Sequence, residues 1–112
     1  MQRVHLGEFE ELVLLIVAIL KGDGYGVLVM EELERQTGRS VNISAVHAAL
    51  RRLENKKFIK SSWSEATAER GGRRKRLFQI TQEGQAAMQQ VMDTRAKLWG
   101  LVPKIGPNLS FS

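Results

Sequence analysis

The stretch from Ile43 to Ile80, ISAVHAALRRLENKKFIKSSWSEATAERGGRRKRLFQI, decides the reading of this chain. Between Ser44 and Arg76 it carries ten basic residues and three acids, Glu54, Glu65 and Glu69, a local charge of +7. The whole 112-residue chain is only +5, so its positive charge is focused rather than spread. The stretch also has a pattern. ISAVHAALRRLE has helical spacing. FIKSSW and LFQI are rich in strand formers. Between the two apolar runs lies a polar, basic turn that bends at Gly71-Gly72. Helix, strand, basic turn, strand is the order of a winged helix, which lays a helix in a DNA groove and a basic loop on the backbone beside it.

Working outward, residues 8–21 read as a first helix. Phe9, Leu12, Val13, Ile16 and Leu20 share one face, and Leu14, Leu15 and Val17 lie off it. A helix that is apolar nearly all round needs two surfaces to pack against. In so small a chain the second is expected to be another copy. The run Leu12–Leu20 has nine apolar residues, far short of the ~20 needed to span a bilayer. Glu8, Glu10 and Glu11 stand before it, where a signal peptide would be basic. No membrane association is expected.

Lys21–Gly26 is a turn with three glycines, and Asp23 is the expected cap of a second helix from Tyr25 to Gln36. Val27, Met30 and Leu33 form its expected apolar stripe, with Leu28 alongside. Glu31, Glu32 and Glu34 form its wet side. Gly38 is the expected stop. In the third helix, capped by Asn42, the buried face is Ile43, Val46, Ala49, Leu50 and Leu53. At 100° per residue the opposite face is Ser44, Ala48, Arg51 and Asn55, flanked by His47 and Arg52. Small residues at its start let such a helix approach a duplex closely. Thr81 is placed to cap a fourth helix that runs to about Trp99 and ends at Gly100. The remaining residues, 100–112, have no helical period and read as a disordered tail.

This order of features resembles the PadR family of bacterial transcriptional regulators, in its small subclass, over roughly residues 6–99. Gly24-Tyr25-Gly26 opens the second helix, and Ala49-Leu50-Arg51-Arg52-Leu53-Glu54 lies in the third. Ser62-Trp63, the turn Arg73–Arg76, and Thr81 with Glu83-Gly84 follow. One departure stands out. Where the family usually has Leu-Tyr-Pro before ALRRLE, this chain has Val46-His47-Ala48, so His47 takes the place of a tyrosine that commonly helps contact DNA. The resemblance implies a mainly α fold with a small β-wing. Residues 1–81 would form a winged helix-turn-helix domain with an N-terminal helix, and residues 82–99 a C-terminal dimerisation helix. It implies a homodimer joined through helices four and one, acting mostly as a repressor in the cytoplasm. Family members often respond to small aromatic or drug-like molecules.

The candidate DNA contacts are Ser44, His47, Arg51 and Arg52 on the third helix, with Arg70, Arg73, Arg74 and Lys75 on the wing. Arg51 can read a guanine edge, worth ~1–3 kcal/mol of discrimination, or touch only phosphate, the commoner fate of an arginine at a groove edge. Arg52 can instead pair with Glu54 or lie along the surface. Arg76 starts a strand and can pack along its face. Trp63 is expected to pack at the end of its strand against the helices, and Tyr25 to lie in the core with its hydroxyl bonded at the surface. Trp99, near the end of helix four, is either an interface residue or half of a tryptophan pair that stacks an aromatic effector.

Other functions stay in view. A winged helix can serve as an adaptor whose basic wing meets an acidic protein, or bind nucleic acid without regard to sequence. Enzyme chemistry is poorly supported. The chain has no cysteine and two histidines, and the Arg70–Arg73 turn lacks the GxxxxGK[ST] pattern of a phosphate-cradling loop. No cofactor or metal is expected.

Overall fold

Six elements follow one another in the computed structural model, which describes residues 5–65 and 74–105. They are α1 (Glu8–Ile19), α2 (Gly26–Thr37), α3 (Ile43–Asn55), β1 (Ile59–Trp63), β2 (Arg76–Ile80) and α4 (Gln82–Leu101). The bend at Gly71-Gly72 lies outside the described residues.

The acidic first turn of α1 suits the positive end of the helix dipole. Glu10 reaches back to accept a 2.8 Å hydrogen bond from the Gly7 amide. The helix ends at Ile19, two residues before the expected end at Lys21, because Lys21 (φ 55°) and Gly22 (φ 89°) both take left-handed backbone. Asn42 caps α3, its side chain accepting from the Ser44 amide at 2.7 Å. Thr81 caps α4 by accepting from the Gly84 amide at 3.0 Å and donates to the Lys57 carbonyl at 2.7 Å. Gly38 closes α2 in left-handed backbone, as its position suggested.

Three helices and a two-stranded antiparallel ribbon enclose one core. Val13, Leu14, Ile16 and Val17 of α1 meet Val46, Ala49, Leu50 and Leu53 of α3, with Val29 and Leu33 of α2, Ile59 of β1 and Phe78 of β2 around them. The ribbon pairs Ile59 with Ile80 and Trp63 with Arg76. Gly24 adds a bridge to Phe78, whose amide donates to the Gly24 carbonyl at 2.8 Å. At α4, a Cβ on Gly84 would fall 2.1 Å from the Phe58 carbonyl oxygen, so only glycine lets the helix start against the ribbon.

Several expectations are corrected. Asp23 does not cap α2; Tyr25 holds that position without a side-chain bond. The stripe of α2 runs through Gly26, Val29, Met30 and Leu33, while Val27 is exposed. Val29 and Leu33 in the core define this face, and at its start the His47 ring lies against Gly26. Glu32, read as wet, is buried and takes hydrogen bonds from Arg35 and Gln36. On α1 the fully buried positions are centred on Val13, Leu14 and Val17, so the apolar run turns a different face inward than its spacing suggested. Trp63 is 62% exposed, because it sits at the open end of the ribbon beyond the helices. Gly100 does not stop α4, which continues through Leu101, so the tail expected from residue 100 is helical in its first two residues; residues 106–112 lie outside the described residues.

Candidate nucleic-acid interface

The buried face of α3 fixes where its polar face points. With Val46, Ala49, Leu50 and Leu53 locked in the core, Ser44, His47 and Arg51 are exposed. Ser44 lies in the first turn, where free backbone amides favour an anion. The His47 ring rests on Gly26: a Cβ there would come within 2.5 Å of its Cε1. The GYG turn thus seats His47. Arg51, one turn further along, projects beside it.

Across from this face stands the wing. Arg74 is exposed at the foot of β2. Lys75 is half-buried, and its Nζ lies 3.4 Å from the centroid of the Tyr25 ring. Its backbone is fixed at both ends, with the amide donating to Ser64 Oγ and the carbonyl accepting from the Ser64 amide, each at 2.8 Å. A cation over an aromatic face is attracted by the ring quadrupole, worth ~0.5–1 kcal/mol at such a surface. Between the start of α2, α3 and β2 opens a cleft of about 720 Å³. His47 and Arg51 line one wall, Lys75 and Arg76 the other, and Tyr25 and Phe78 lie between them. The structure therefore brings His47, Arg51 and Lys75 to a single cleft, with Ser44 and Arg74 exposed on the elements that bound it.

The other candidates fall elsewhere. Arg52 does not pair with Glu54. It leaves the cleft side and donates to Glu10 Oε2 of α1 at 2.9 Å, with half of its side chain exposed. Lys56 joins the same carboxylate at 2.9 Å and also donates to the His5 carbonyl. Burial is the largest single influence on Glu10 and raises its pKa. The bonds from the Gly7 amide, Lys56 and Arg52 together outweigh it and hold the carboxyl below its ordinary value. Arg70 and Arg73 lie outside the described residues. Trp99 is 66% exposed on α4, with Lys104 Nζ 4.6 Å from its ring.

Two residues of the cleft escaped the sequence reading. Tyr25 looked like core because it adjoins an apolar helix, and only the fold brings Lys75 over its ring. Glu54 looked like a helix partner for Arg52, and its true partners lie in β1 and β2. Among the described residues no three His, Asp or Glu side chains converge as metal ligands, and no helix is long and apolar enough to cross a membrane.

Residues 14–90 match the family model of the transcriptional regulator PadR-like family. The chain belongs to that family. It is a DNA-binding transcriptional regulator with the PadR winged-helix fold. No curated protein matches it. Solved PadR structures do. A PadR-like transcription factor from Bacteroides fragilis has a TM-score of 0.70 at 17% identity, over 82% of this chain and 84% of that one. A PadR family regulator from Clostridium difficile has 0.68 at 22%, over 85% and 94%. A PadR-like regulator from Bacillus cereus has 0.67 at 16%, over 82% and 84%. At these identities the likeness speaks for the fold, and the roles of individual PadR side chains are argued from this chain's own geometry.

Proposed function

We propose that this PadR-like chain is a homodimeric repressor that reads a specific operator, with α3 in the major groove and the wing on the flanking phosphates. The observation that carries this reading is the cleft, which sets His47 and Arg51 of α3 opposite Lys75 of the wing with Arg74 exposed beside it. Ser44, His47 and Arg51 meet base edges or the nearest phosphates. Arg74 and Lys75 bind phosphates, with Arg70 and Arg73 assigned to the same role from the sequence. Arg52 is held by Glu10 at the edge of this surface and reaches only the outer backbone. Each phosphate contact releases counterions, so affinity falls steeply with salt.

Dimerisation is supported by α4. Beyond Val91, which still packs against the core, the apolar side chains of α4 stand open among the described residues: Met92 is 38%, Leu98 58%, Trp99 66% and Leu101 71% exposed. Ile19 of α1 is 52% exposed as well. Soluble monomers rarely leave such a row open. A second copy closes it and carries a second α3 to the next major groove, about 34 Å away. Paired Trp99 indoles give a flat aromatic effector a surface to stack on, which would relieve repression.

Selection of bound duplexes from a random library at moderate salt tests this reading. Enrichment of an inverted repeat with half-sites one helical turn apart supports it. Tight retention without enrichment would leave a phosphate-binding surface only, and an acidic protein partner or unselective nucleic-acid binding would take its place.

A further inference from the structure

The most basic stretch of the chain contains an acid that charge alone does not explain. Glu54 lies in the ALRRLE segment, lining the same cleft as Arg51 and Lys75. A carboxylate facing phosphates repels them. Here its two oxygens are both committed. Oε2 accepts from Ser61 Oγ at 2.6 Å, and Oε1 accepts from Arg76 Nη2 at 2.9 Å. Arg76 Nε in turn donates to Ser61 Oγ at 3.0 Å. The three side chains form a closed triangle that joins α3 to both strands of the wing.

The register explains why these residues meet. Ser61 pairs with Phe78 and Trp63 with Arg76, so Ser61 and Arg76 are diagonal neighbours on one face of the ribbon. Phe78 on that face is buried in the core. Glu54 is the helix residue that this face meets at its outer end. One residue before Arg76, Lys75 rests on Tyr25. The foot of the wing is therefore held at two points, against α3 and against the start of α2.

We propose that Glu54 is a positioning residue for operator recognition, acting through Arg76 and Ser61 to hold the wing at a fixed angle to α3. An acid within the DNA-facing surface then strengthens specific binding. Arg76 serves as the partner of Glu54 and not as a phosphate contact. The inference rests on the DNA-binding reading above. It adds to that reading a division of labour among the wing cations: Arg74 and Lys75 meet DNA, and Arg76 fixes their position.

Charge and positioning predict opposite signs. If Glu54 were idle, Glu54→Gln would remove a repulsion and tighten binding. If it positions the wing, Glu54→Gln weakens operator binding by about threefold to tenfold, and Arg76→Gln weakens it by a similar factor. The double variant is then no weaker than the worse single one, because both substitutions break one linkage. The dependence of affinity on salt stays that of the unmodified protein in all three, whereas loss of a phosphate contact makes it shallower. Affinities for the selected operator and a scrambled duplex, each at several salt concentrations, with melting temperatures for every variant, carry the test. Tighter or unchanged binding by Glu54→Gln, additive losses, or a shallower salt slope for Arg76→Gln would overturn the inference while leaving the DNA-binding reading intact. An unmodified protein that does not distinguish operator from scrambled duplex would overturn both. Should Glu54→Gln lose its melting transition, Arg76→Gln decides, since Arg76 is half exposed and its removal leaves no buried group unpaired.

Discussion

Arg52 Nε lies 2.9 Å from Glu10 Oε2, so the second arginine of the ALRRLE segment is tied to the first turn of α1. Glu10 is 5% exposed and is served by Lys56 and the Gly7 amide as well. Its neighbours Glu8 and Glu11 reach Arg39 and Arg95. One acidic turn thus connects α1 to α3, to the segment before α3 and to α4.

Glu10→Gln should destabilise the fold by about 1–2 kcal/mol near neutral pH, since it leaves two cations short of a buried partner. The half-exposed state of Arg52 keeps the cost below that of a fully buried pair. The sign with pH follows from the lowered pKa. Its folded value lies below its unfolded one, so its stabilisation is fully present above the ordinary carboxylate value of 4.5. It is lost as pH falls through the lowered folded value. Denaturant titrations of both proteins at several pH values check this. The gap between them should be constant above about pH 5 and narrow below the ordinary carboxylate range.

Arg51→Ala and Arg74→Ala should differ in kind. Arg51→Ala lowers operator affinity and relaxes discrimination at one position of each half-site, by ~1–3 kcal/mol where it reads a base. Arg74→Ala weakens operator and scrambled duplexes about equally and makes the salt slope shallower by about one. Fluorescence anisotropy on both duplexes over a salt series separates the two patterns.

Gly26→Ala should act through His47. The added methyl would sit 2.5 Å from the ring, and the histidine, being exposed, can swing away. Stability should change by less than about 1 kcal/mol, while operator affinity falls as His47 leaves its seat. A large melting-temperature loss without an affinity effect would contradict this account of the GYG turn.

Leu98→Glu combined with Trp99→Glu should shift the protein from dimer to monomer in sedimentation while preserving its helical content. Both side chains are exposed within the chain, so the substitutions cost little in a monomer and are unfavourable only when covered.

How far the sequence carried depends on the range of the interaction. The buried face of α3, its Asn42 cap and the Thr81 cap were legible because each is set by residues within one or two turns. The stripe of α2 was misjudged because Val27 and Val29 fit an apolar pattern equally well, and only the packing of α2 on the core decides that Val29 is buried and Val27 exposed. Trp63 was misjudged because the length of the ribbon relative to the helices is a tertiary fact. The partners of Arg52 and Arg76 lie 42 and 22 residues away, beyond anything periodicity reports. The positive focus running from α3 into the wing was plain from charge alone, but that Arg52 and Lys56 are committed to Glu10 and Arg76 to Glu54 emerges only when the elements pack.

The central claim is that the face holding Ser44, His47 and Arg51 reads sequence while the wing binds backbone. A titration of the selected operator and a scrambled duplex of the same length with the unmodified protein, at physiological salt, tests it most directly. The account predicts operator binding tighter by at least ~10³-fold, with two protomers per duplex. Equal affinity for the two duplexes would contradict it.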